Sequence, residues 1–379
     1  MSSDQFMRHR SLPITLALAA NLGRLARSGA ANGIGQMRSG ASCVVIGGGP
    51  SCRAVSDAFT LCVNTSAPKV CQDSAPDVLV IREVVGVQRQ LHSLRHLPRS
   101  IVLDIQTAPS TVAAAHDLGV PVLWAIPAQT NLAWLIRLLD HVPVYGGESA
   151  VTLAVALTER IGASAVSLIG CDLAFGKGGE VYGDGTAWSG VKAQALSDGF
   201  VDFGDRGGMQ EQARESGIPA PLLREMATSV VMEDGSTGLA LSTWCSQRLW
   251  LEQWARRHPK TEFANLSGGA RIEGWPADTE ASRAWRRMDA RSLSALPSAP
   301  LDVSRIDAEV RRQLAVARES LHSDAPWTLG LDGAPLVTFA EQKEVLETSE
   351  RGLPMGIALG ERRGITERAI EAVEAAYFG

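Results

Sequence analysis

Short, wholly apolar runs recur along the chain: Cys43-Val-Val-Ile-Gly47, Leu61-Cys-Val-Asn64, Val78-Leu-Val-Ile81, Ile101-Val-Leu-Asp104, Val120-Pro-Val-Leu-Trp124 and Ala165-Val-Ser-Leu-Ile169. Rich in β-branched residues and without polar alternation, they predict strands covered on both faces, as in parallel sheets sandwiched by helices. Between them lie segments at helical spacing. The clearest is Glu148 to Ile161, where Val151, Ala154, Val155, Leu157 and Ile161 share one face and Gly162 is placed to stop the helix. The expected fold is α/β: a Rossmann-like, doubly wound, mainly parallel sheet with a helical C-terminal region.

Outside these runs the pattern changes. Leu12 to Leu22 follows Arg8, His9 and Arg10 in the manner of a signal peptide. The helical spacing of Ile14, Leu18, Leu22 and Leu25, with no small-x-small cleavage site, favours an amphipathic helix. Residues 28–42, rich in Gly, Ser and Ala, read as a flexible connection. Glycine is frequent from about 176 to 240, which predicts long loops with short helices above the sheet's carboxyl edge. Helices are expected over 279–295, 302–323, 339–351 and 364–377. The resulting division is an N-terminal helix and linker (1–42), a doubly wound α/β domain (43–275) and a helical region (276–379). Over 281–320 eight Arg face five acids, and over 341–379 eight Glu face five bases, so these stretches either pair or form two solvated faces.

Composition narrows the functional class. With 379 residues the chain can bury a large core, and 20% charged against 45% hydrophobic residues is ordinary for a globular enzyme. A formal charge of -5, from 36 basic and 41 acidic residues, gives no field to attract nucleic acid. No run reaches the ~20 apolar residues a membrane helix needs. The six cysteines show no C-x-x-C pair or zinc spacing, so buried, reduced thiols and a cytoplasmic location are expected.

Two stretches carry candidate chemistry. Gly47-Gly48-Gly49-Pro50-Ser51 directly follows the first strand, where unhindered main-chain N–H groups can approach a phosphate or ribose. The loop lacks the Gly-Lys-Ser/Thr of a P-loop. Cys52 stands where a dinucleotide fingerprint has its third glycine, and the second strand ends in Asn64 rather than an acid, which argues against NAD. The second stretch runs from Gly146-Gly-Glu-Ser149 through Leu168-Ile-Gly-Cys-Asp-Leu-Ala-Phe175 to Gly178-Gly-Glu-Val-Tyr182. Glu148 and Ser149 open a helix and serve either a ligand or the helix itself. Asp172 follows a strand's carboxyl end, where open α/β sheets place ligands, though a buried capping role would also suit it.

The motifs Val-Val-Ile-Gly-Gly-Gly-Pro-Ser (44–51), Gly-Glu-Ser-Ala-Val-Thr-Leu-Ala through Leu-Ile-Gly-Cys-Asp-Leu-Ala-Phe (147–175) and Asn-Leu-Ser-Gly-Gly-Ala-Arg-Ile-Glu-Gly (265–274) resemble the motility-associated-factor glycosyltransferases. Their superfamily also includes 6-hydroxymethylpterin diphosphokinases (MptE-like) and has sialyltransferase-like relatives. The resemblance spans roughly 43–275. It implies an inverting cytoplasmic transferase that moves a nonulosonic acid from a CMP donor to Ser or Thr of flagellin, with the CMP-sugar as co-substrate and no tightly bound cofactor. By the same likeness Gly47 to Ser51 and Asn64 hold the nucleotide, Ser149, Gly170, Cys171 and Asp172 line the donor pocket, and Tyr182 meets the donor phosphate. The chain departs from the pattern at Gly48, where sialyltransferases have Asn, and at Cys171, where the family has Gln.

The acceptor hydroxyl needs a base within hydrogen-bond reach. No histidine occurs between Tyr182 and Arg257, and His258 in Arg-Arg-His-Pro reads as an exposed helix end. The candidates are therefore Glu148, Asp172 and Asp184. No D-x-D motif marks a divalent-metal site, and His92 with His96, at i,i+4, has no third ligand nearby and reads as surface helix. Trp244, Trp250 and Trp254 read as core rather than a sugar platform. Two alternatives remain: an ATP-dependent diphosphokinase acting on a pterin-like alcohol, and a non-catalytic binding protein on the same scaffold. The oligomeric state is left open.

Overall fold

The computed structural model describes residues 17–22, 24, 32–34, 42–55, 58–83, 86–128, 133–139, 143–203, 226–277, 298–300, 303–321 and 359–378, and the account that follows is of these. The strands are β1 (Asn32–Ile34), β2 (Ser42–Ile46), β3 (Phe59–Val63), β4 (Val78–Ile81), β5 (Ser100–Asp104), β6 (Val122–Ala125), β7 (Ala165–Ile169), β8 (Gln194–Ala195), β9 (Val201–Asp202), β10 (Ala227–Val231), β11 (Thr237–Leu241), β12 (Glu262–Asn265) and β13 (Ser298–Pro300). The labelled helices are α1 (Ala67–Asp73), α2 (Gln88–His92), α3 (Pro109–Asp117), α4 (Ala133–Leu139), α5 (Ala150–Ile161), α6 (Ser242–Arg257), α7 (Val303–Leu321) and α8 (Leu359–Phe378).

Nine strands form one sheet in the order β12-β7-β2-β3-β4-β5-β6-β1-β13. All are parallel except β13, which runs antiparallel to β1. Every strand predicted from an apolar run is present, within one or two residues. Alternation within the runs divides two cores: Val44, Ile46, Leu79 and Ile101 face one side, while Val45, Val63, Val80 and Val166 face the other. The first core is completed by α1, α3, the helical segment 17–22, and Ile306, Val310 and Leu314 of α7 with Ile370 and Val373 of α8. The second is covered by α5, α6 and the β10–β11 hairpin. This two-sided burial is the reason the strands lack polar positions.

The chain winds outward from β2 to β6, and α5 then carries it back to β7 on β2's other side. Ser149 caps α5 by accepting the Thr152 N–H at 3.2 Å, and Thr152 Oγ1 accepts the Ser149 N–H at 3.1 Å, a reciprocal box. Gly162 ends the helix in a left-handed conformation, as its position predicts.

Several expectations are corrected. Residues 32–34, inside the stretch read as a flexible connection, form β1, because pairing with β6 and β13 supplies what its Asn-Gly-Ile sequence does not. The described part of 176–240 holds the short pairs β8–β9 and β10–β11 rather than helices. Their exposed positions and glycines hide the strand alternation. His92 and His96 do not share a helix, since α2 stops at His92. The predicted helices 279–295 and 339–351 lie outside the described residues. Between α7 and α8 one pair from the opposed charge blocks is made, Arg318 with Glu374. Among the described residues no disulfide forms, and five cysteines are buried while Cys245 is half-buried. No helix of the described residues is long and apolar enough to cross a membrane.

Candidate active site at the sheet switch point

Strand order reverses between β2 and β7, and at such a switch point the loops leaving two neighbouring strands part in opposite directions and open a crevice. The loop after β2 is Gly47 to Ser51, and the loop after β7 contains Gly170, Cys171 and Asp172. The two stretches that sequence reading selected are therefore side by side.

Their contact is closer than the sequence suggests. Gly47 N–H donates to Ile169 O and Gly49 N–H to Gly170 O, both at 2.7 Å. Ser51 donates to Asp172 Oδ2 twice, from its N–H at 3.1 Å and its hydroxyl at 2.9 Å. The Ser51 Oγ in turn accepts the Gly170 N–H at 3.2 Å. Gly170 adopts φ 66°, and a Cβ there would lie 2.3 Å from Gly47 O. A Cβ on Gly49 would lie 2.3 Å from Asp172 Oδ2. Only glycine lets the two loops approach this closely. The expected cradle of main-chain donors is thus largely spent inside the protein. Pro50 has no N–H, and among the described residues only the Gly48 amide of this loop is without an acceptor.

Asp172 is the unusual group. It is 6% exposed, and burial pushes its carboxyl up from 3.8 to about 6, against the downward pull of the Ser51 hydrogen bonds and of Arg53. Leu173 beside it has φ 49°, a left-handed conformation that costs a non-glycine residue about 1–2 kcal/mol. The 265–274 element explains how this end of β7 is held. Ser267 Oγ accepts the Cys171 N–H at 3.0 Å, Ala270 N–H donates to Asp172 O at 2.7 Å, and buried Asn265 orders the turn by accepting the Ser267 N–H at 3.1 Å. Its residues form a collar around Asp172.

The segment 175–203 folds over the same edge on its own small core of Phe175, Val181, Val191, Val201 and Phe203. Half-buried Tyr182 packs on that core, and the residues after it reach the loop after β2 and the turn after β3, Gly183 N–H to Gly48 O at 3.0 Å and Ala187 N–H to Thr65 O at 2.9 Å. Asn64 is buried at the end of β3, and its carbonyl accepts the Ala67 N–H where α1 begins. Asp184 is exposed on the covering segment.

Glu148 and Ser149 also lie at the carboxyl edge, since Gly147 O accepts from Arg82, which follows β4 and pairs at 3.1 Å with buried Asp104, the last residue of β5. Glu148 is exposed, and the Ser149 hydroxyl is committed to its helix cap. Cys171 is buried in the second core, and burial pushes its thiol well up, away from the reactive thiolate. His258 corrects its reading as an exposed helix end. It is half-buried, stacks on Trp254 with ring centroids 4.1 Å apart, and its Nε2 lies 3.4 Å from Glu159. Glu159 belongs to the last turn of α5, at the sheet's amino edge, so His258 is remote from Asp172. A groove of about 440 Å³ lined by Arg256, His258, Glu262 and Glu273 opens at that same amino edge. Trp250 stacks on buried Trp254 and Trp244 packs against Phe175, all as core.

Among solved structures the chain is similar to the MAf glycosyltransferase from Magnetospirillum magneticum AMB-1, with a TM-score of 0.52 and 13% sequence identity over 98% of this chain. The chain shares that enzyme's fold. The resemblance read from the motifs is met at this level, and the chain spans 54% of the enzyme's length. No protein-family model matches the chain, and no curated protein does.

Proposed function

We propose that this protein is a glycosyltransferase that moves a nonulosonic, sialic-acid-like sugar from a CMP donor to a Ser or Thr hydroxyl of a protein acceptor such as flagellin. The observation that carries the reading is Asp172, a desolvated carboxyl collared in place at the switch-point edge, with a titration raised to about 6. Such a placement costs stability, and perturbed carboxyls in α/β crevices are where acid–base chemistry is found. The likeness in fold to a MAf glycosyltransferase supports the reaction class.

In this reading the nucleotide lies beside the Gly47–Ser51 loop and the Asn64 end of β3, along the border of the segment that carries Tyr182. Asp172 is ionised at neutral pH and is more basic than a solvated aspartate. It takes the proton of the acceptor hydroxyl as that oxygen bonds to the anomeric carbon, and the bond from that carbon to the CMP phosphate breaks with CMP keeping the electron pair. One displacement inverts the anomeric centre. Asp172 outranks Glu148 and Asp184 as base, because those two are exposed and their carboxyls lack its desolvation. No step calls on a tightly bound cofactor.

The test is a thermal-shift titration with CMP, CDP, UMP, GDP and ATP with magnesium, followed by CMP release from CMP-activated nonulosonates in the presence of flagellin. Stabilisation by CMP is expected, about 2.7 kcal/mol at a hundredfold excess over Kd. Stabilisation by ATP with magnesium alone would replace this reading by the diphosphokinase, and none by any nucleotide would leave the binding protein.

A further inference from the structure

The loop that should cradle a phosphate has given away its donors: the amides of Gly47, Gly49 and Ser51 are bonded to Ile169 O, Gly170 O and the Asp172 carboxylate. One remaining amide, at Gly48, cannot neutralise a phosphate, least of all near a buried aspartate. The charge has to come from side chains at the mouth of the same crevice.

Two cations stand there. Lys69, on α1, lies along the covering segment: a Cβ on Gly185 would sit 3.7 Å from Lys69 Cγ and 3.8 Å from its Cβ. That segment is fixed over the glycine loop through Gly183, whose N–H reaches Gly48 O and whose Cβ position is 3.3 Å from Cys52 Cβ. Arg53 directly follows Cys52 and is exposed. The two therefore flank the loop, one from the α1 side and one from its own exit. Among the described residues neither makes an ion pair, although Arg82, Arg99, Lys192 and Arg311 do. Both act electrostatically on the buried Cys52 thiol, and Arg53 also acts on the Asp172 carboxyl.

We infer that Lys69 and Arg53 form the phosphate clamp of the nucleotide donor, taking the place of the glycine-loop amides; the inference rests on the nucleotide-dependent transferase reading above. The ligand chemistry is the single phosphate of a nucleoside monophosphate ester, with a guanidinium for in-plane oxygens and an ammonium as a mobile point charge. Lys69 approaches from the side of Asn64, so the clamp grips the phosphate between the base-binding end of the crevice and Asp172.

Calorimetric binding of CMP and of cytidine to the full chain tests this, with Lys69→Gln, Arg53→Gln, the double variant, and Lys177→Gln as a control on an exposed lysine beyond the clamp. Each clamp variant should lose about tenfold in CMP affinity and the double variant more, with cytidine affinity within about twofold of wild type. Salt should weaken CMP binding to wild type and have little effect on the double variant. Both side chains reach solvent, so the variants keep the wild-type melting temperature. A wild type that prefers CMP over cytidine, with variants that keep that preference, overturns the clamp while leaving the transferase reading intact. A wild type that binds neither ligand overturns the transferase reading and the clamp with it.

Discussion

Replacing Asp172 with Asn should stabilise the protein and disable it. Burial raises the carboxyl from 3.8 to about 6. Between those values the folded chain holds a proton that the unfolded chain has released, so the carboxyl's contribution to stability falls as pH rises through this window. At about 1.4 kcal/mol for each pH unit of displacement, the ionised carboxylate costs about 3 kcal/mol at neutral pH. Asn can still accept the Ser51 hydrogen bonds through its carbonyl, but its NH2 brings donors the site was not built for, so the net gain is about 1–3 kcal/mol. For a chain of this length that is a rise of a few degrees in melting temperature. The melting temperatures of Asp172→Asn and wild type should draw apart as pH rises from about 4 to about 6 and stay apart above it, the change ceasing below pH 4, where Asp172 is protonated in both states. Loss of the base should lower turnover by about 10²–10⁴-fold. An Asn variant less stable than wild type at pH 8, or a difference that does not change with pH, would refute the argument that desolvation dominates at this carboxyl.

Two further outcomes follow from the loop geometry. Gly170→Ala should cost at least about 2 kcal/mol, from the left-handed backbone and the collision with Gly47 O, and should weaken nucleotide binding because it pries the two loops apart; a variant with wild-type denaturant midpoint would contradict the contact. Ser149→Ala should lower stability by about 0.5–2 kcal/mol through the lost cap and leave CMP affinity unchanged, so an affinity loss above about threefold would return Ser149 to the donor pocket.

How far the fold was legible depends on where each strand lies. β2 to β7 are buried on both faces, and that burial writes itself into the sequence as unbroken apolar runs. β10 exposes most of its residues and β1 has three, so neither carries a pattern strong enough to be seen. The site was legible by position: a glycine loop and an aspartate, each just past a strand. What the loop does with its amides was not, because the acceptors at Ile169, Gly170 and Asp172 are far away in the chain and only sheet order brings them beside it. Lys69 and Arg53 were missed for the same reason. A lone lysine on a short helix has no signature until the covering segment is seen to pass over it.

β13 closes the sheet on β1, so its outermost ladder joins residues 32–34 to residues 298–300, far apart in the polypeptide. During synthesis the ribosome must deliver the sequence through Pro300 before this border can close. Until then the outer flank of β1 is a bare template for stray strands, and a chaperone that shields nascent chains would act there.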